Sequence, residues 1–229
     1  ASPLLGLTIT LLAYQAAYWL YQRSGMNPLA NPVLIAVTIL VALLMLTGTS
    51  YQTYFDGAQF VHFLLGPATV ALAIPLYTQL KRVKAMLVPV VVGLLTGSLT
   101  AAFSAIAIAK LFGASLPTQL SLAPKSVTTP IAMGIAERIG GIPSLTAVLV
   151  IATGILGAVG GRYVFNAMRI HDPAIRGFAI GIASHGIGTA RAFQVSEQSG
   201  AFAALAMGLN GALTALLLPF LLSATRGLG

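Results

Sequence analysis

Long apolar runs closed by single basic residues dominate this sequence. They restrict it to structures that satisfy their own backbone hydrogen bonds without water. The runs cover residues 4–22, 32–49, 60–80, 86–112, 144–164 and 201–222. In lipid only α-helices and closed barrels leave no backbone group unpaired. A barrel strand alternates in polarity over about ten residues, whereas these runs are continuous, so the chain is read as all-α. Only 7% of the 229 residues are charged and 57% are hydrophobic. A soluble domain carries about 25% charged residues, so there is too little charge here to clothe a water-facing surface.

The net charge of +8 does not point to nucleic acid. The cations stand mostly at the ends of apolar runs: Arg23, the trio Lys81, Arg82 and Lys84, then Lys110, Arg162, Arg169, Arg176 and Arg226. That is how positive loops fix a membrane topology, and no basic stripe carries interleaved aromatics. The absence of cysteine excludes disulfides and thiolate metal sites. Residues 4–20 lack a basic leader and a clear cleavage site, so they are expected to form a retained helix and not a signal peptide. Tyr51, Tyr54 and Phe55 in the stretch 50–59 suit a membrane–water interface. Gly66-Pro67 and Pro75 predict a broken third helix.

Two regions, 116–141 and 173–200, are apolar overall but have polar centres rich in Gly and Pro. The first centre is Ala123-Pro124-Lys125-Ser126-Val127-Thr128-Thr129-Pro130, and the second is Ser184-His185-Gly186-Ile187-Gly188-Thr189-Ala190-Arg191. At an offset of 60, Thr129 matches Thr189, Glu137 matches Glu197 and Gly140 matches Gly200, which predicts a repeat. If the Lys81 and Arg162–Arg176 clusters share the cytoplasmic side, region 116–141 starts and ends outside and is re-entrant. Region 173–200 then enters and leaves from inside, and the repeats are inverted, a common transporter plan. An ordinary crossing at 173–200 is the alternative; it would place Arg226 inside.

Thr129 as N-cap with Pro130 at the first helical position predicts a short helix ending at Gly140-Gly141. Ten residues make about 15 Å, half of a core roughly 30 Å thick, so its N-terminus should sit near mid-membrane. Thr189 is expected to play the same part for a half-helix ending at Gly200. Two helix N-termini, with Lys125, His185 and Arg191 beside them, form an anion site. No acid lies within either centre, so a small carboxylate substrate is the expected counter-ion, gripped by Arg191 and attracted by Lys125. Ser126, Thr128, Ser184 and Gly188 complete the candidate binding set. His185, Glu137 and Glu197 are candidates for proton coupling, and Pro67 and Thr69 for lining the site. The plainer readings are snorkelling for Lys125, a topology role for Arg191, packing for His185, and interfacial places for both glutamates.

An enzyme is not expected. Ser184 and His185 are adjacent, no nucleophile elbow surrounds them, and no zinc, phosphate-loop or dinucleotide fingerprint occurs. No cofactor or metal is therefore assigned.

Several motifs resemble the LrgB/CidB family over essentially the whole chain. They include Pro124-Lys125-Ser126-Val127-Thr128-Thr129-Pro130-Ile131-Ala132-Met133, Gly66-Pro67-Ala68-Thr69-Val70, His171-Asp172-Pro173 with Arg176-Gly177, and Ser184-His185-Gly186-Ile187-Gly188-Thr189-Ala190. The resemblance implies a multi-pass protein of the bacterial inner membrane, often encoded beside a smaller LrgA/CidA-type partner. Members of that family were first described as holin- or antiholin-like modulators of murein hydrolases. A plant relative is a plastidal glycolate/glycerate transporter, and some bacterial members are associated with pyruvate uptake.

The expectation is thus about six transmembrane helices plus two broken hairpins in an elevator-like arrangement. Residues 1–112 would be the scaffold and 113–229 the substrate region, in a homodimer carrying glycolate, glycerate, lactate or pyruvate. The alternative is a holin/antiholin-like modulator of autolysis.

Overall fold

The computed structural model describes residues 3–226, without the side chains at 3, 62, 65, 66, 68, 69 and 222–226. Regular structure among the described residues is helical. The order is α1 (Pro3–Arg23), a 3-10 turn (Pro28–Ala30), α2 (Pro32–Thr47), α3 (Tyr51–Ala71), α4 (Ala73–Thr78), α5 (Leu80–Ala85), α6 (Leu87–Leu111), α7 (Leu116–Leu122), α8 (Thr129–Ile139), α9 (Pro143–Ala167), α10 (Pro173–Val195) and α11 (Glu197–Arg226). Among the described residues four segments are long and apolar enough to cross a membrane: Leu4–Arg23, Leu87–Leu111, Pro143–Ala167 and Glu197–Leu221. The expected span at 32–49 is shorter, because Gly48 in the left-handed conformation stops α2 after 16 residues.

The chain divides into two compact units, Ala1–Ala73 and Ile74–Gly229. In the first, α1 packs on α2 and α3. Asn27 and Asn31 cap the two Pro-led turns that follow α1; the Asn31 side chain accepts from Val33 N at 2.9 Å and Leu34 N at 3.1 Å. Gly6 lets α1 touch the α3 backbone, since a Cβ there would come 2.7 Å from the Tyr54 carbonyl oxygen. The third helix starts earlier than the expected 60, and residues 51–59 are its first part. The Ser50 hydroxyl accepts from Thr53 N at 3.2 Å and starts α3 at once. The expected break in the third helix falls at Leu72, between α3 and α4.

In the second unit α6, which the sequence alone groups with the N-terminal part, packs against α7, α10 and α11. Hydrogen bonding fixes the path of α10. Its N-cap, Asp172, accepts from Ala174 N at 2.8 Å and from Arg82 Nη2 at 2.5 Å. With its amide turned so that the oxygen faces the guanidinium, Gln198 accepts from Arg82 Nε at 3.2 Å and Nη1 at 2.6 Å. The start of α10 and the start of α11, which follows α10 after one residue, therefore meet at one arginine. A straight helix of 23 residues would hold them about 34 Å apart. The fold-back occurs at Ser184 and His185, whose backbone angles leave the helical region. The first half of α10 then runs alongside α11: added Cβ atoms on Gly177 and Gly181 would collide with the carbonyl oxygens of Ser199 and Ala203. Small residues thus permit backbone contact between the two helices.

The region from α7 to α8 folds back as well. The Ser121 hydroxyl accepts from Ile142 N at 2.7 Å and donates to the Pro117 carbonyl at 2.7 Å. Thr146 Oγ1 donates to the Ser121 carbonyl at 3.1 Å. Gly140, at φ 84°, ends α8 as expected. The 11 residues of α8 measure about 16 Å.

Candidate functional site

The first break is the turn between α7 and α8. Lys125 is half-buried there, and its Nζ donates to Ser126 Oγ at 3.3 Å. Ser126 is buried. Its carbonyl lies in the turn between α7 and α8, outside either helix, and so has no intrahelical donor. The N-cap of α8 is Thr128, not Thr129; Thr129 is the first helical residue. The Thr128 side chain makes no cap hydrogen bond here. The Thr128 carbonyl accepts from Ala132 N at 2.9 Å and continues the turn.

The second break is more strained. His185 sits at φ 41°, ψ −133°, a conformation that costs a non-glycine residue of order 1–3 kcal/mol. Its ring is buried, with Nε2 2.9 Å from the Val150 carbonyl in α9. Two glycines of α9 make room. A Cβ on Gly154 would lie 2.7 Å from His185 Cε1, and one on Gly157 would fall on the Ser184 hydroxyl. Ser184 is fully buried, and its hydroxyl has no hydrogen-bond partner among the described residues. Gly188 faces Ser184 in the same way: a Cβ on it would come 2.6 Å from Ser184 Cβ. Thr189 does not cap the second half-helix. Its Oγ1 donates to the His185 carbonyl at 2.8 Å, one turn inside, because the break lies four residues earlier than expected. That half-helix ends at Val195, and Gly200 belongs to α11, where Phe193 lies against it. The matches at an offset of 60 therefore do not share structural positions.

A residue overlooked in the sequence joins the breaks. Asn210, in α11, is 1% exposed. Its Nδ2 donates to the Ser126 carbonyl at 3.2 Å and to the Ile182 carbonyl at 3.1 Å. Its Oδ1 accepts from Ser98 in α6 at 2.6 Å and from Thr214 at 3.2 Å. The signal was available: Asn210 is the lone amide in the final apolar run, and a polar group there needs partners.

Ser126, Ile182, Ser184 and His185 are thus gathered around α11, α9 and α6, with Lys125 beside Ser126. Arg191 stands six residues beyond His185, about 9 Å farther along the half-helix, where its Nη1 donates to Gln194 Oε1 at 3.1 Å. Glu137 is exposed in the last turn of α8. Glu197 opens α11 at the Arg82 end, its Oε1 3.5 Å from Thr78 Oγ1. Both glutamates lie away from the breaks. Pro67 lies within α3 of the first unit, and the Thr69 side chain is outside the described residues.

Fold and site together define a helical membrane protein organised around two folded-back segments whose turns are tied to one buried asparagine. The chain belongs to the LrgB-like family, whose model matches residues 10–224. It is 40% identical to the protein YwbG of Bacillus subtilis (strain 168), over 96% of this chain and 97% of that one. It is 30% identical to the holin-like protein CidB of Staphylococcus epidermidis, over 93% of each chain. It is 29% identical to the antiholin-like protein LrgB of Bacillus cereus (strain B4264), over 95% of each. No solved structure matches the chain.

Proposed function

We propose that this protein carries small monocarboxylates, such as glycolate, glycerate, lactate or pyruvate, across the bacterial cytoplasmic membrane. The observation that carries the reading is the meeting of two folded-back segments at Asn210, with Lys125 beside the junction and no acid in either break. Backbone irregularity at membrane depth is tolerated where it is buried in protein or lines a cavity, and broken helices at such a depth are a transporter device. In this reading 116–141 and 173–200 are re-entrant hairpins related by inversion, entering from opposite faces. The segment carrying them moves as an elevator against a scaffold, in a homodimer and without enzymatic chemistry. Lys125 and Arg191 attract the carboxylate, and His185 is the candidate proton carrier.

A second reading, a holin- or antiholin-like membrane protein that modulates murein hydrolases, is favoured by a different observation. Relatives matching nearly the full chain are called holin-like CidB and antiholin-like LrgB. The comparisons weigh toward this reading, and the buried polar junction weighs toward the carrier. A small LrgA/CidA-type membrane partner fits either.

Uptake of radiolabelled glycolate and pyruvate into liposomes holding the purified protein, with and without a pH gradient, tests the carrier. Saturable uptake is expected, weakened about ten-fold or more by Lys125→Ala or Arg191→Ala, since a lost charge-assisted hydrogen bond costs about 1.5–3 kcal/mol. Uptake by the double variant at the parent rate refutes the assigned site. Leakage of unrelated dyes without saturable uptake supports the holin-like reading.

A further inference from the structure

We propose that Asn210 is the positioning residue that sets the separation of the two breaks, and that it does so through the NH2 edge of its amide alone. A primary amide offers two donors and one carbonyl oxygen with two acceptor sites. Here the two edges serve different partners. Both N–H groups go to the breaks, to the carbonyls of Ser126 and Ile182. The oxygen goes to hydroxyls on the long helices, Ser98 of α6 and Thr214 of α11 itself.

Both break carbonyls need such a donor. Ser126 lies in the turn between α7 and α8, where no intrahelical N–H reaches its carbonyl. Ile182 stands two residues before the helix loses its regular angles at Ser184, where carbonyls run out of intrahelical donors. One side chain therefore satisfies a carbonyl at the break of each folded-back segment, and its two N–H bonds diverge from one nitrogen. That nitrogen therefore bridges the two turns. Asn210 lies 13 residues into α11, so the junction is anchored about 20 Å from the helix start, deep in the core.

Its consequence for transport rests on the carrier reading: an anion held between the breaks would be bound in a gap whose width Asn210 fixes. The geometry itself does not depend on that reading, and the test separates them. The chain has no cysteine, so Gly134→Cys in α8 and Ala190→Cys in α10 provide two unique positions for spin labels. Gly134 has nothing within 4 Å of an added Cβ, and Ala190 is exposed.

The distance distribution between the labels is measured by pulsed electron paramagnetic resonance on the full chain in lipid nanodiscs. Two further substitutions are compared. Asn210→Asp keeps the shape and the accepting oxygen but replaces the two N–H donors with at most one O–H, so at least one break carbonyl loses its partner. Ser98→Ala removes only a partner of the opposite edge. The expected result is a longer or broadened distribution in Asn210→Asp and an unchanged one in Ser98→Ala, with the KM for transported anion raised about tenfold in the former only. An unchanged distribution in Asn210→Asp overturns the proposal, and so does equal broadening in both variants, which would mark general loosening of the core. If Asn210→Asp does not reach the membrane folded, Asn210→Ser takes its place with the same expectation, because one hydroxyl hydrogen serves one carbonyl. If the parent protein moves no anion, the carrier reading falls while the label distances still decide the role of Asn210.

Discussion

The second break depends on glycine at position 157, and Gly157→Ala measures how closely α9 holds it. A methyl group there would occupy the place of the Ser184 hydroxyl oxygen. Non-bonded heavy atoms settle at about 3.5–4.0 Å, so α9 and the break must separate or Ser184 must leave its rotamer. Ser184 has little freedom to turn, because it is fully buried and Gly188 faces it from the next turn of α10. Overpacking of this kind costs about 1–3 kcal/mol. For a chain of this size each kcal/mol moves the unfolding midpoint by about 2–4 °C, so Gly157→Ala should unfold about 2–12 °C below the parent. The assay is thermal denaturation in detergent, followed by loss of monodisperse protein. The partner substitution Ser184→Gly removes the colliding atoms and breaks no hydrogen bond, since the hydroxyl has no partner among the described residues. In the double variant it should restore most of the loss, with a coupling of about 0.5–3 kcal/mol. Equal stability of parent and Gly157→Ala, or purely additive effects in the double variant, would refute the argument that these two positions share one space.

Ser121→Ala should destabilise the protein by about 1–3 kcal/mol, because the Ile142 N–H loses its acceptor inside the fold; the same denaturation assay reads it, and restoration by Ser121→Thr would show that the hydroxyl is what matters. Cysteines at 172 and 198 should be joined by a short bis-thiol cross-linker within one chain, since both residues hold Arg82; failure to cross-link would mean that α10 runs straight through. Arg82→Ala should shift stability by no more than about 1 kcal/mol, because the Arg82–Asp172 pair is partly exposed, and the shift should shrink in high salt.

Much of the architecture was legible because lipid burial imposes it locally. Continuous apolar runs identified the long helices, and Gly140 ended α8 where expected. The two interrupted segments announced themselves through Pro130 and the Ser184–Thr189 stretch. The boundaries that went astray did so for stated reasons. The apolar run predicts a third helix from about 60, while the Ser50 hydroxyl starts it at Tyr51. Thr189 was read as a cap because threonine favours that role, yet its hydroxyl serves the carbonyl of His185. Local preference names residues able to cap; the backbone path decides which of them does.

The linear order of residues is enough to make this protein helical and apolar enough for a membrane, with two of its segments interrupted by polar, Gly/Pro-rich turns. Those properties follow from the chemistry of short stretches, since hydropathy, proline and glycine act on their own neighbours. Packing in three dimensions brings the starts of α10 and α11 together at Arg82, lets Gly154 and Gly157 make room for Ser184 and His185, and ties the two breaks together at Asn210. Each of these joins residues far apart in the chain, and one asparagine in an apolar helix looks the same in sequence whether its amide meets one carbonyl, two or none. Which partners it finds is fixed by helix packing, where the absence of a single methyl group on a facing helix sets how closely two backbones approach.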